Sequence, residues 1–113
     1  MKTIILPIKK RWFDLILSGV KKEEYREIKP YYDRRFKDLV SSGEQFEAFF
    51  RNGYCAKSPS FVAICTVDIG TGEPSWGAVE GVKYYRIAIR EITIVSPVET
   101  KAKGTESGQI SLF

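Results

Sequence analysis

Apolar positions along the N-terminal half follow two different periods, and each change of period marks an element. Lys2–Pro7 (KTIILP) is a short apolar run of strand length. From Lys9 to Leu17 the spacing turns helical, with Phe13, Ile16 and Leu17 on one face and Trp12 beside them. Gly19 follows, where a helix places its left-handed terminating residue. Lys21–Ile28 (KKEEYREI) then alternates as a strand does, with Glu24, Arg26 and Ile28 on one face and Glu23, Tyr25 and Glu27 on the other. Pro30 opens a second helix, Tyr31–Ser41, which buries Tyr32, Phe36, Leu39 and Val40 and closes at Ser42-Gly43.

The C-terminal half reads mostly as strand. Gln45–Phe50 is a strand that ends at an Asn52-Gly53 turn, and Tyr54–Pro59 continues as an irregular edge. Ser60–Ile69 is almost wholly apolar, which predicts burial on both faces. A glycine-bearing loop, Gly70–Gly81, leads to Lys83–Ser96, the longest strand, which Pro97 ends. The order β-α-β-α followed by strands predicts one small α+β barrel with helices packed on it, spanning residues 1–98. Residues 99–113 form a polar, glycine-bearing tail ending in Gln-Ile-Ser-Leu-Phe.

Composition narrows the chemistry. The 113 residues contain no histidine, which excludes Ser-His-Asp and Cys-His nucleophiles and a His-ligated zinc. Cys55 and Cys65 lack the spacing of a disulfide framework or a metal site, and Cys65 reads as a core residue. Neither a metal nor an organic cofactor is expected. No apolar run is long enough to span a bilayer and no secretory leader is evident, so no membrane partner and a cytoplasmic location are expected. The net charge is +4, and residues 1–40 hold eleven Lys/Arg against six Asp/Glu. Such a basic half attracts polyanions, although a solvated surface also needs charge.

Gly19-Val20-Lys21-Lys22-Glu23-Glu24-Tyr25-Arg26 concentrates the candidate chemistry. Lys21 is an ammonium suited to a phosphate or a polarised carbonyl. Glu24 and Arg26 sit two apart on one strand face, where the guanidinium can hold the carboxylate ionised and oriented. A carboxylate so held can accept a hydrogen bond from an exocyclic amine of a base. The plainer alternative is a fold-stabilising Glu24–Arg26 pair with Lys21 facing solvent.

The segment resembles the Gly-x-Lys-x-x-Glu-x-Arg signature of the ASCH family, matching at Gly19, Lys21, Glu24 and Arg26. The resemblance covers residues 1–96 and implies a PUA-like β-barrel that binds RNA or a modified base in a cleft between the first helix and the barrel. Some small ASCH proteins are amidohydrolases acting on N4-acylated cytidine, with a catalytic lysine at the position of Lys21. A threonine nucleophile in those enzymes stands where this chain has Glu24, and their distal glutamate is matched only loosely by Glu73. A hydrolytic scheme here would use Glu24 as general base and Lys21 as oxyanion stabiliser.

Aromatic residues supply stacking surfaces. Trp12 and Trp76 are the main candidates, Tyr25 and Tyr54 weaker ones, although Trp12 also borders the core face of its helix. Lys9, Lys10, Arg11, Lys21 and Lys22 are expected to line one side of the same cleft. The terminal Gln109-Ile110-Ser111-Leu112-Phe113 resembles the peptide by which bacterial proteins dock on the sliding clamp. Leu112 and Phe113 would fill an apolar pocket, and Gln109 would add hydrogen bonds. That resemblance implies a bacterial or phage protein acting in DNA replication or repair. The alternative is a last strand that completes the barrel.

Overall fold

A computed structural model describes residues 1–55 and 57–96, with side chains up to residue 93. The strands are β1 (Thr3–Pro7), β2 (Glu23–Arg26), β3 (Phe46–Arg51), β4 (Ser60–Thr71) and β5 (Lys83–Ser96). Two helices, α1 (Lys10–Leu17) and α2 (Pro30–Ser42), flank β2 in sequence, and a short 3-10 turn at Pro74–Trp76 precedes β5. The strands form one curled five-stranded half-barrel in the order β1-β3-β4-β5-β2, with β1 parallel to β3 and every other pairing antiparallel. Both edge strands, β1 and β2, come from the first quarter of the chain, and the connection through α1 carries the chain from one edge to the other.

Helix ends follow local chemistry. Gly19 takes a left-handed φ of 87° just beyond α1, and the amides of Val20 and Lys21 both return to the Leu15 carbonyl, satisfying the helix end. Pro30 sits in the first turn of α2, and Gly43 at φ 71° caps its other end.

One apolar cluster joins both helices to one face of the sheet. Phe13 and Ile16 of α1 and Phe36 and Leu39 of α2 pack with Ile4, Leu6, Ala48, Phe50, Phe61, Ala63, Cys65, Val67 and Ile87. Aromatic contacts run through it, with Phe61 5.0 Å from both Phe13 and Phe50, centroid to centroid. Cys65 is a buried free thiol, as its sequence context suggests. Strand β4 departs from expectation. Phe61, Ala63, Cys65 and Val67 are buried, but Val62, Ile64 and Thr66 are half-buried and Ile69 is exposed. The reason is that both helices cover the same face, so alternate residues of an apolar strand look outward. Among the described residues, no helix is long and apolar enough to cross a membrane. The Gln109–Phe113 pentapeptide and the 98/99 boundary lie outside the described residues.

Phe61 ties α1 to the sheet, so Phe61→Ala is expected to cost about 3–5 kcal/mol in urea unfolding. A loss under about 1 kcal/mol would mean that this aromatic cluster does not hold the core together.

Candidate nucleic-acid interface

The short strand β2 sets the site. Its residues Glu23, Glu24, Tyr25 and Arg26 pair with Ala88, Ile87, Arg86 and Tyr85 of β5, which leaves the other side of β2 as a free sheet edge. Alternation turns Glu24 and Arg26 the same way, as the sequence predicts. The Arg26 Nη2 donates to Glu24 Oε2 at 2.7 Å and to the Pro7 carbonyl of β1 at 2.9 Å. Its Nη1 donates to the Tyr32 hydroxyl at 3.3 Å. One guanidinium therefore links the two edge strands and α2 across the open side of the half-barrel.

Lys21 completes the cluster from beneath. Its side chain is 1% exposed, and Nζ lies 3.2 Å from Glu24 Oε1. The same ammonium donates to the Trp76 carbonyl and stands 4.5 Å from the centre of the Trp12 ring and 5.0 Å from that of Tyr25. Burial pushes the Lys21 ammonium below the ordinary lysine value, with Glu24 pulling the other way. Lys21 is thus neither solvent-facing nor a mobile surface charge. Both oxygens of Glu24 hold a cation, and the residue is only 7% exposed.

The loop after β4 is bound to the same cluster. Tyr25 donates to Glu23 Oε1 at 2.8 Å and accepts from the Glu73 amide at 2.9 Å. Glu73 Oε2 in turn accepts from the Ser75 amide and hydroxyl, capping the short turn. Gly77, at φ 104°, lies so close to the Trp12 ring that a Cβ there would come within 3.0 Å of it. Burial pushes the Tyr25 phenol up to about 12, its bond to Glu23 acting the same way and the Glu73 amide opposing.

A groove of about 500 Å³ opens beside this cluster. Its lining comes from the end of β1 and the start of α1 (Pro7, Ile8, Lys9, Trp12), from β2 and the start of α2 (Glu24 to Glu27, Lys29, Tyr32) and from the turn after β3 (Asn52, Gly53, Tyr54). Tyr54 is 88% exposed there, and Trp12 and Tyr32 are half-buried. A second hollow of about 570 Å³ lies between Met1–Lys2 and the end of α2. Asp38, Leu39, Ser42, Glu44 and Gln45 complete its lining, with no aromatic ring and no buried charge, so no site is placed in it.

The sequence-nominated residues divide accordingly. Trp12, Tyr25, Glu24 and Arg26 line the groove, with Lys21 packed against three of them. Gly19 does not line it, and no atom stands near the place of its missing side chain, so its role is the turn alone. Trp76 brings its carbonyl to Lys21 but is not among the lining residues, and Glu73 serves the turn. Of the basic cluster only Lys9 reaches the groove. Lys10 pairs with Asp14 at 2.6 Å, Lys22 caps the Gly19 carbonyl, and Arg11 lies over the Trp12 ring. Lys29, Tyr32 and Asn52 were not nominated. Asn-Gly reads as a turn in any sequence, and only the pairing of β1 with β3 brings Asn52 to Ile8, 44 residues away.

Glu24→Gln leaves two buried cations short of their anion, and a loss of about 3–5 kcal/mol in urea unfolding is expected. A loss under about 1 kcal/mol would mean that the cluster is not coupled to the fold. Alkaline pH supplies a second check. A phenol raised from 10.0 to about 12 contributes stability that is fully present below 10 and is lost as pH rises through 12. Over that range the melting temperature of the wild type should fall more steeply than that of Tyr25→Phe; parallel curves would contradict it.

Comparison with protein-family models, with curated proteins and with solved structures found no match for this chain.

Proposed function

We propose that the groove binds single-stranded nucleic acid, or a single unstacked base, in an ASCH-type half-barrel of the PUA-like kind. The observation that carries this reading is the pairing of aromatic faces with exposed ammonium groups in one groove. Trp12, Tyr32 and Tyr54 offer ring surface, Lys9 stands exposed among the lining residues, and Lys29 is exposed there but paired with Glu27 at 3.0 Å. Stacking on such rings tolerates any base, and rim lysines match a phosphate backbone. The resemblance of Gly19, Lys21, Glu24 and Arg26 to the ASCH signature supports the same reading. So does the basic balance of residues 1–40, eleven Lys/Arg against six Asp/Glu. This activity requires neither a metal nor an organic cofactor, and cytoplasmic nucleic acid is its natural partner.

Amide hydrolysis is the rival reading, and the buried Lys21–Glu24 pair is the observation in its favour. A general base needs an oxygen free to take a proton from water. Both Glu24 oxygens already hold cations, and the position that would carry a nucleophilic hydroxyl carries this carboxylate instead. Binding is therefore the better account.

Anisotropy titrations of labelled single-stranded RNA and DNA at two salt concentrations test it. Saturable binding that weakens with salt is expected; Lys9→Ala should lower the salt slope by roughly 0.7, and the Lys9→Ala/Lys29→Ala double variant should lower it further. Absence of binding at low salt, or binding indifferent to the double variant, would contradict the proposal.

A further inference from the structure

Most polar atoms of the signature motif are held inside the protein, and the Arg26 Nε, which has no partner among the described residues, is itself buried. Glu24 holds Lys21 and Arg26; Arg26 holds Glu24, Pro7 and Tyr32; and the Tyr25 hydroxyl holds Glu23 and Glu73. A ligand in the groove must be read by something else. Rim lysines can hold phosphates, but they carry no information about a base.

Asn52 is a lining residue whose side-chain amide is only part used. Its backbone amide donates to the Pro59 carbonyl at 2.9 Å, and its Nδ2 donates to the Ile8 carbonyl at 3.3 Å. The first holds the backbone of the turn, and the second tethers the side-chain amide to the residue just after β1. Among the described residues nothing donates to Oδ1, and one of the two Nδ2 hydrogens remains. An amide tethered at one end, with an open acceptor and an open donor, complements a base edge that presents a donor next to an acceptor. Two residues on, Tyr54 shows an almost fully exposed ring at the same end of the groove. Gly53 between them adopts φ 123°, and a side chain there would meet Ser58 Oγ at 2.8 Å, so the turn that displays both residues tolerates glycine alone.

We infer that the Asn52–Tyr54 turn is the base-reading element of the groove: Tyr54 stacks on one unpaired base and the Asn52 amide pairs with its hydrogen-bonding edge. The inference rests on the nucleic-acid reading above and adds what that reading leaves open, namely which atoms recognise a base as opposed to a phosphate chain. The ligand class is a pyrimidine or purine whose edge carries an adjacent N–H and acceptor.

The test compares three strands of equal length and charge by anisotropy: oligouridylate, its N3-methylated counterpart and an abasic strand. N3-methylation removes the donor from the uracil edge while keeping the ring and the phosphates. The wild type should bind oligouridylate about tenfold more tightly than either other strand. Asn52→Leu should lose the discrimination between uridine and N3-methyluridine while keeping the salt slope. Tyr54→Ala, at a position too exposed to affect folding, should weaken base-bearing strands about tenfold and leave abasic binding unchanged. Equal binding of all three strands would overturn this inference while leaving phosphate-driven binding intact. Failure of every strand to bind at low salt would overturn the nucleic-acid reading itself, and the inference with it.

Discussion

A single carboxylate organises this molecule. Glu24 is withdrawn from water with Lys21 on one oxygen and Arg26 on the other. Removing such charges from solvent costs several kcal/mol per ion, which close pairing and further hydrogen bonds must offset. Arg26 reaches on to the Pro7 carbonyl and the Tyr32 hydroxyl, and Lys21 to the Trp76 carbonyl between the Trp12 and Tyr25 rings. Elements distant in sequence thus converge on one buried ion cluster: the end of β1, helix α1, strand β2, the start of α2 and the turn before β5. A five-stranded sheet that does not close leaves two free edges, and side-chain bonds hold these edges where backbone pairing does not.

That arrangement separates construction from recognition. The motif residues that look most reactive are mostly bound to one another and mostly covered, the Arg26 Nε being buried without a partner among the described residues, so they form the groove's base. What remains open to a ligand is the rings of Trp12, Tyr32 and Tyr54, the Lys9 ammonium and the Asn52 amide, with Lys29 exposed but paired to Glu27. A pre-organised floor lowers the ordering cost of binding, and an open rim of this composition suits a flexible polyanion with planar bases.

Much of the architecture was legible because its signals are local. The helical spacing of Phe13, Ile16 and Leu17, the proline at 30 and the glycines at 19 and 43 marked both helices to within a residue or two. Alternation in KKEEYREI placed Glu24 and Arg26 on a common side, and their pairing followed. The failures are non-local. Residues 60–69 are apolar enough for a strand buried on both faces, yet both helices settle on one face and leave Ile69 exposed. Trp76, a candidate stacking ring in the sequence, meets Lys21 through its backbone carbonyl, a contact 55 residues away that no local signal contains. Lys10 and Lys22 looked available, but each finds a partner within a turn of its own helix or just beyond it. Asn52 joins the groove only through the pairing of β1 with β3, which no short window of sequence contains.

Amide chemical-shift mapping with a short unstructured oligonucleotide tests the central claim most directly, because it locates the ligand as well as detecting it. The account predicts saturable shifts at the Trp12 indole N–H, Lys9, Lys29, Tyr32 and Asn52 to Tyr54. Ile5 and Ile69, exposed and not among the residues that line the groove, should stay unmoved. Shifts confined to residues outside the groove, or none at millimolar oligonucleotide, would contradict it.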